Sequence, residues 1–299
     1  MDRSVNVQKG ALVGAVWVII LVAAIITGSF FPPLVKENFD LYNSYEYSQM
    51  YLEDEPYSDL VIEYDYVWEY GPTERGIGEL EEKVDNYTEK EKIRTEVDDV
   101  IDPIDTTNPY DEEDLKDLME DYKDHERKDN TISIHVLYLN GYWKESRRTL
   151  GLSKKPYNIV IFKEALISFT SGTQDLAPED IEPSVLVHEF GHLLSLVGDG
   201  YESDHEDEEN DYHCNEEGGE CVMDASVEIK NNTEQGPPPT DLCELCKEDL
   251  EEIKNMDRPF SFVDLMTYGI IGVEAILGIG ASIAIISKDK KREPPEYAY

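Results

Sequence analysis

Apolar residues fall into two long runs near the ends of this chain and an interrupted, periodic pattern between them. Residues 11–31 (ALVGAVWVIILVAAIITGSFF) carry no charge, and residues 267–287 (TYGIIGVEAILGIGASIAIIS) are broken only by Glu274. Each run is long enough to cross a bilayer as a helix. Between them, residues 60–70 (LVIEYDYVWEY) alternate large and charged side chains like a half-buried strand, which Gly71-Pro72 closes. Ile77, Leu80 and Val84 then recur at helical spacing and predict a helix over 74–87, and residues 92–101 (KIRTEVDDVI) return to alternation. Leu115, Leu118, Met119 and Tyr122 mark the inner face of a helix over 111–127, followed by strands at 131–140 (TISIHVLYLN) and 157–162 (YNIVIF). Residues 185–196 (VLVHEFGHLLSL) are apolar nearly all round, so the helix expected over 180–197 is a buried one. A last helix is expected over 241–255.

Strands alternating with helices, and ending in a buried helix, predict an α+β domain: a mixed twisted sheet backed by helices. That domain spans 57–260. It is framed by a span at 11–31, an unpatterned stalk at 32–56 and a second span at 264–287. A signal peptide has an apolar core of about 7 to 15 residues and a small-residue cleavage site, so the first run reads as an uncleaved anchor. Arg3 and Lys9 precede it, and Lys288, Lys290, Lys291 and Arg292 follow the second span. Positive flanks stay inside, which puts residues 1–10 and the tail 288–299 in the cytoplasm and the domain outside. Glu274, among glycines and with no partner visible in the sequence, reads as a protonated or helix-packed residue.

Charge changes the list of partners. The chain carries a net charge of −40. Acids and bases outside residues 32–261 cancel, so all of it falls on the external segment. Such a surface repels nucleic acid. Its self-repulsion is tolerable where salt screens it, since the Debye length falls to about 3 Å at 1 M.

The chemistry is concentrated in the buried helix. His188 and His192, at i and i+4, can offer imidazole nitrogens to one Zn²⁺, and Glu189 projects beside them. A carboxylate there can take a proton from water that the metal has acidified to a pKa of about 7. Imidazoles and a carboxylate in an apolar helix would be costly without partners. A catalytic zinc needs a third protein ligand, and Asp199, His205 and His213 all stand downstream.

All four cysteines follow the motif: Cys214, Cys221, Cys243 and Cys246. Two disulfides would suit an external domain. A C-x2-C pair at the start of a helix suits metal chelation better, so the spacing favours a four-thiolate structural zinc.

Taken together, H188-E-F-G-H192, H213-C214, C221-V-M223 and C243-E-L-C246 resemble the archaemetzincin signature over about residues 60–255. The resemblance implies a metzincin-like zincin fold. It implies His188, His192 and His213 on a catalytic zinc, Glu189 as general base and Met223 as the Met-turn residue beneath the metal. It also implies a second zinc on Cys214, Cys221, Cys243 and Cys246. Two departures stand out: Ser195 replaces a glycine, and Gly198 occupies the place of the third histidine, so His213 arrives fifteen residues late (213 against 198) after an acidic insertion. The zinc helix is therefore expected to run an extra turn before Gly198 or Gly200 reverses the chain.

The reading is a membrane-anchored zinc metallopeptidase acting on a peptide or protein at the outer face. The peptide would lie along a sheet edge near residues 157–162 by strand addition. The alternative is a zinc-binding interaction module without catalysis. Glu189, dispensable for a structural zinc, argues for the enzyme.

Overall fold

The computed structural model describes residues 3–39, 42–103, 109–125, 127–171, 176–198, 203–215, 220–225, 237–256 and 262–287. Its contacts divide the chain into two units, Met1–Tyr42 with Arg258–Tyr299, and Asn43–Asp257.

The first unit holds α1 (Arg3–Phe39) and a C-terminal helix, α8 (Phe262–Ser287). Within them, residues 11–32 and 266–285 are long and apolar enough to cross a membrane. The two helices pack against each other. Ile20 fits so closely against Gly278 that a Cβ there would meet its Cδ1 at 2.1 Å. Glu274 does have a partner, since Thr27 Oγ1 donates to its Oε1 at 3.0 Å. The tail at 288–299 lies outside the described residues.

The second unit is a five-stranded mixed sheet with helices. Strands β1 (Asp59–Val67), β2 (Lys92–Ile101), β3 (Thr131–Leu139), β4 (Gly151–Lys154) and β5 (Asn158–Phe162) lie in the order β2-β1-β3-β5-β4. Every neighbouring pair is parallel except β4 with β5. The mixed sheet is the one the pattern predicts. Two details differ. β4 falls in a basic stretch too short to show alternation. It takes the sheet edge and leaves β5 in the interior, so residues 157–162 are not the free edge expected.

β1, β3 and β5 are buried almost throughout, as parallel strands covered on both faces are. Glu63 and Asp65 of β1, which read as a water-facing side, are fully buried and hydrogen-bonded instead. Glu63 accepts the amides of Asp124 and His125. Asp65 Oδ2 lies 2.9 Å from His135 Nε2, and His135 Nδ1 lies 3.0 Å from Asn158 Oδ1, a polar link across three strands.

The helices follow their caps. Thr73 accepts the Gly76 amide at the start of α3 (Glu74–Tyr87), and Asp111 forms a capping box ahead of α4 (Glu112–Tyr122). α5 (Lys163–Thr170) continues directly from β5, and α6 (Pro178–Leu193) carries the histidine motif. α7 (Glu244–Asn255) starts with Cys243 as its N-cap.

A further helix, α2 (Ser44–Leu52), stands in the segment expected as a stalk. Asn43 and Glu46 form a capping box, and eight of the nine residues are buried. Its sequence, SYEYSQMYL, shows no apolar stripe because Ser48, Gln49 and Tyr51 are buried in hydrogen bonds to other parts of the unit.

Candidate metal centre

α6 opens with Pro178, Glu179 and Asp180, residues suited to a helix N-terminus, and buries every residue from Ile181 to Gly191. One turn apart on it, His188 and His192 bring their Nε2 atoms to 3.1 Å. The His213 ring stands 5.1 Å from that of His188 and 5.3 Å from that of His192, centroid to centroid. Three ligand atoms, one from each ring, lie within 4.8 Å of one another.

Hydrogen bonds set the tautomers. His188 Nδ1 lies 2.7 Å from the Val222 carbonyl and His213 Nδ1 lies 2.8 Å from the Asp211 carbonyl. A carbonyl only accepts, so both Nδ1 atoms carry hydrogen, and in the neutral ring Nε2 keeps the lone pair. His213 Nε2 is buried and has no hydrogen-bond partner among the described residues. Burial, then His188, His213 and Lys155, hold the His192 pKa well below 6.5, so this ring is neutral. Three converging imidazoles, one of them with a buried Nε2 that has no hydrogen-bond partner among the described residues, are a donor set that Zn²⁺ takes. Two nitrogens bound tetrahedrally at about 2.0 Å would stand about 3.3 Å apart, close to the separation seen.

Glu189 is 2% exposed and reaches under the first residue of the edge strand. A Cβ on Gly151 would lie 2.9 Å from Glu189 Oε1, so only glycine lets β4 pass so close. Met223 is fully buried against the other side of the motif, its Sδ 2.2 Å from where a Cβ on Gly191 would sit.

The motif helix α6 does not run the extra turn expected. It ends at Leu193, and the reversal falls at Ser195, with φ +61°. Ser195 N donates to the His192 carbonyl at 3.0 Å and Leu196 N to the Gly191 carbonyl at 3.1 Å. This is the Schellman arrangement, with serine in the left-handed position that usually holds glycine. Gly198, at φ +97°, sits so close to Glu206 that a Cβ would meet its carboxylate at 2.6 Å. The acidic insertion then folds on itself through Asp207 N to the His213 carbonyl and Asn215 N to the His205 carbonyl. Of the three candidates for third ligand, His213 reaches the centre and His205 does not. Asp199 lies outside the described residues.

His205 belongs to the second group. Its Nε2 lies 3.4 Å from Cys246 Sγ and 3.5 Å from Asp249 Oδ2, and its Nδ1 lies 3.0 Å from Ser203 Oγ. The sulfurs of Cys214, Cys221, Cys243 and Cys246 lie within 4.8 Å of one another and form no disulfide. Cys214 and Cys243 stand 3.7 Å apart, and Cys221 and Cys246 3.5 Å. Four sulfurs on zinc at about 2.3 Å would stand about 3.8 Å apart. Hydrogen bonds from Cys214 and then Cys246 pull the Cys221 thiol well below its usual range. The Cys243 amide also points at Cys221 Sγ, at 3.4 Å, a cradle suited to thiolates.

One residue that sequence reasoning passed over is Glu182, fully buried on α6. Thr73 N and Tyr138 OH donate to its Oε1 at 2.8 and 2.9 Å, and Lys163 pairs with its Oε2. These bonds tie α6 to β3, α3 and α5. Its spacing of seven from Glu189, on one face of an apolar helix, was the available signal.

No protein-family model matches the chain, and neither does any curated protein compared with it. Among solved structures it is similar to an archaemetzincin from Methanopyrus kandleri, at 17% identity and a TM-score of 0.42, over 67% of this chain and 97% of that one. It is also similar to a zinc-dependent peptidase from Methanocorpusculum labreanum strain Z, at 18% identity and a TM-score of 0.42, over 63% of this chain and 99% of that one.

Proposed function

We propose that the chain is a zinc-dependent peptidase of archaemetzincin type, held in a membrane by α1 and α8 with its catalytic unit outside. The observation that carries the reading is the convergence of His188, His192 and His213 on one point, with Glu189, next to His188 in the motif, beneath the start of an edge strand. Zinc held there supplies Lewis acidity, which polarises a carbonyl oxygen and lets water lose a proton near neutral pH.

The chain's own residues do the rest. β4 offers its outer edge, unpaired among the described residues, to an extended peptide, whose backbone hydrogen bonds lay the scissile bond across the histidines. Glu189, on α6 beneath the start of that strand, takes the proton of the attacking water and passes it to the leaving amine nitrogen. The Val222 and Asp211 carbonyls hold the His188 and His213 rings with Nε2 turned to the centre. Met223 supports the motif from below. The four cysteines hold a second zinc that braces the chain on either side of Met223.

Elemental analysis of the full chain in detergent tests the metal reading. Two zinc ions per chain, with hydrolysis of a mixed peptide library that stops on chelation and returns with zinc, is the expected result. Zinc-independent hydrolysis, or no zinc in protein purified without chelator, would overturn it.

A further inference from the structure

Ser195 holds a left-handed backbone without being glycine, and what surrounds it is specific. Its side chain is fully buried. Lys155 Nζ donates to its Oγ at 2.8 Å, and the Ser48 hydroxyl lies 2.8 Å from the same oxygen. Ser48 Oγ also lies 3.2 Å from the Leu193 carbonyl, one of the groups a helix end leaves unpaired. So α2, through one serine, meets both the last carbonyl of the zinc helix and the residue that turns the chain.

α2 is itself pinned on three sides. Gln49 Nε2 donates to the Ile253 and Met256 carbonyls at the end of α7, at 3.1 and 3.0 Å. Tyr51 OH lies 2.9 Å from the Ser133 carbonyl on β3 and 3.0 Å from that of Pro156. Lys90 Nζ binds the Met50, Glu53 and Tyr57 carbonyls where α2 ends.

From this geometry we propose that Ser48 of α2, with Lys155, is a positioning device for the metal centre: it holds Ser195 in the left-handed turn that ends the zinc helix and sets the course of the chain toward His213. The turn's two backbone bonds end on the carbonyls of Gly191 and His192, inside the motif itself. A turn that slipped into right-handed geometry would continue the helix and carry the following loop away. Glycine needs no such help, because it takes positive φ freely. In this chain a buried hydrogen-bonded serine does what glycine does by itself, and the helix that follows the first apolar span becomes part of the active unit.

The proposal rests on the zinc reading for its consequence but not for its test. The test is a double-mutant cycle on the full chain in detergent, with S48A, S195G and S48A/S195G, together with S195A and S195T. Readouts are the unfolding midpoint of chelated protein, the rate at which the histidine site loses metal to a chelator, and kcat against KM on a peptide. S48A should lower the midpoint, speed metal loss and lower kcat more than it raises KM, while S195G stays near wild type. In the S195G background S48A should cost much less. S195A, which keeps neither hydrogen bonds nor glycine's freedom, should behave as S48A or worse. Equal losses from S48A in both backgrounds, or an S195A protein like wild type, would overturn the proposal. If S48A does not fold, a folded S48A/S195G double variant supports it and an unfolded one overturns it. A chain that binds no zinc would sink the peptidase reading, and the midpoints would still decide this one.

Discussion

Met223 Sδ fills the space above Gly191 so completely that a Cβ at position 191 would lie 2.2 Å from it. Gly191 stands between His188 and His192, so a sulfur from a distant loop fixes how the motif helix lies. Gly191→Ala must push Met223 aside, at a cost of about 1–3 kcal/mol from overpacking. The measurement is chemical unfolding together with zinc retention at the histidine site. Both should fall, and G191A/M223A should recover part of each, because the smaller side chain reopens the space. Strict additivity of the two changes would deny the contact its role.

Metal-free protein should lose stability in mild acid through His192. Its pKa is about 6.5 unfolded and well below that folded. Between the two values the unfolded chain binds the extra proton, so stability is retained above about 6.5 and lost as pH falls below it. Unfolding midpoints of chelated protein between about pH 7 and 5 should therefore decline more steeply for wild type than for His192→Gln. Zinc should remove the difference. Parallel slopes for the two chelated proteins would contradict it.

His205→Ala should loosen the cysteine-bound metal without emptying the histidine site. Outer groups that orient a metal's ligands are worth about 10–100-fold in affinity. Cobalt substitution separates the two sites by their thiolate-to-metal absorption. A variant that loses the histidine-site metal first would place His205 in the other centre.

The order of elements was legible because each announces itself locally: alternation for β1 and β2, an apolar stripe for α3, and an H-E-x-x-H motif in an apolar helix. His188, Glu189 and His192 came with the helix period. His213 came only from a resemblance, since spacing alone could not choose it over His205; the fold separates them by giving His205 to Cys246. Illegible were features defined by tertiary contact. β4 has four residues, GLSK, and becomes a strand because β5 offers it an edge. α2 has no stripe, since Ser48, Gln49 and Tyr51 are buried against carbonyls of other elements. The turn at Ser195 was expected at the glycines because its hydrogen-bond partners, Ser48 and Lys155, are remote in sequence.

Glu189→Gln tests the central claim most directly. The amide keeps the shape of the side chain beneath Gly151 but cannot serve as a base at neutral pH. Zinc content should match wild type, and kcat should fall by about 10²–10⁴-fold with little change in KM. A variant that keeps its zinc and hydrolyses peptides at the wild-type rate would contradict the account.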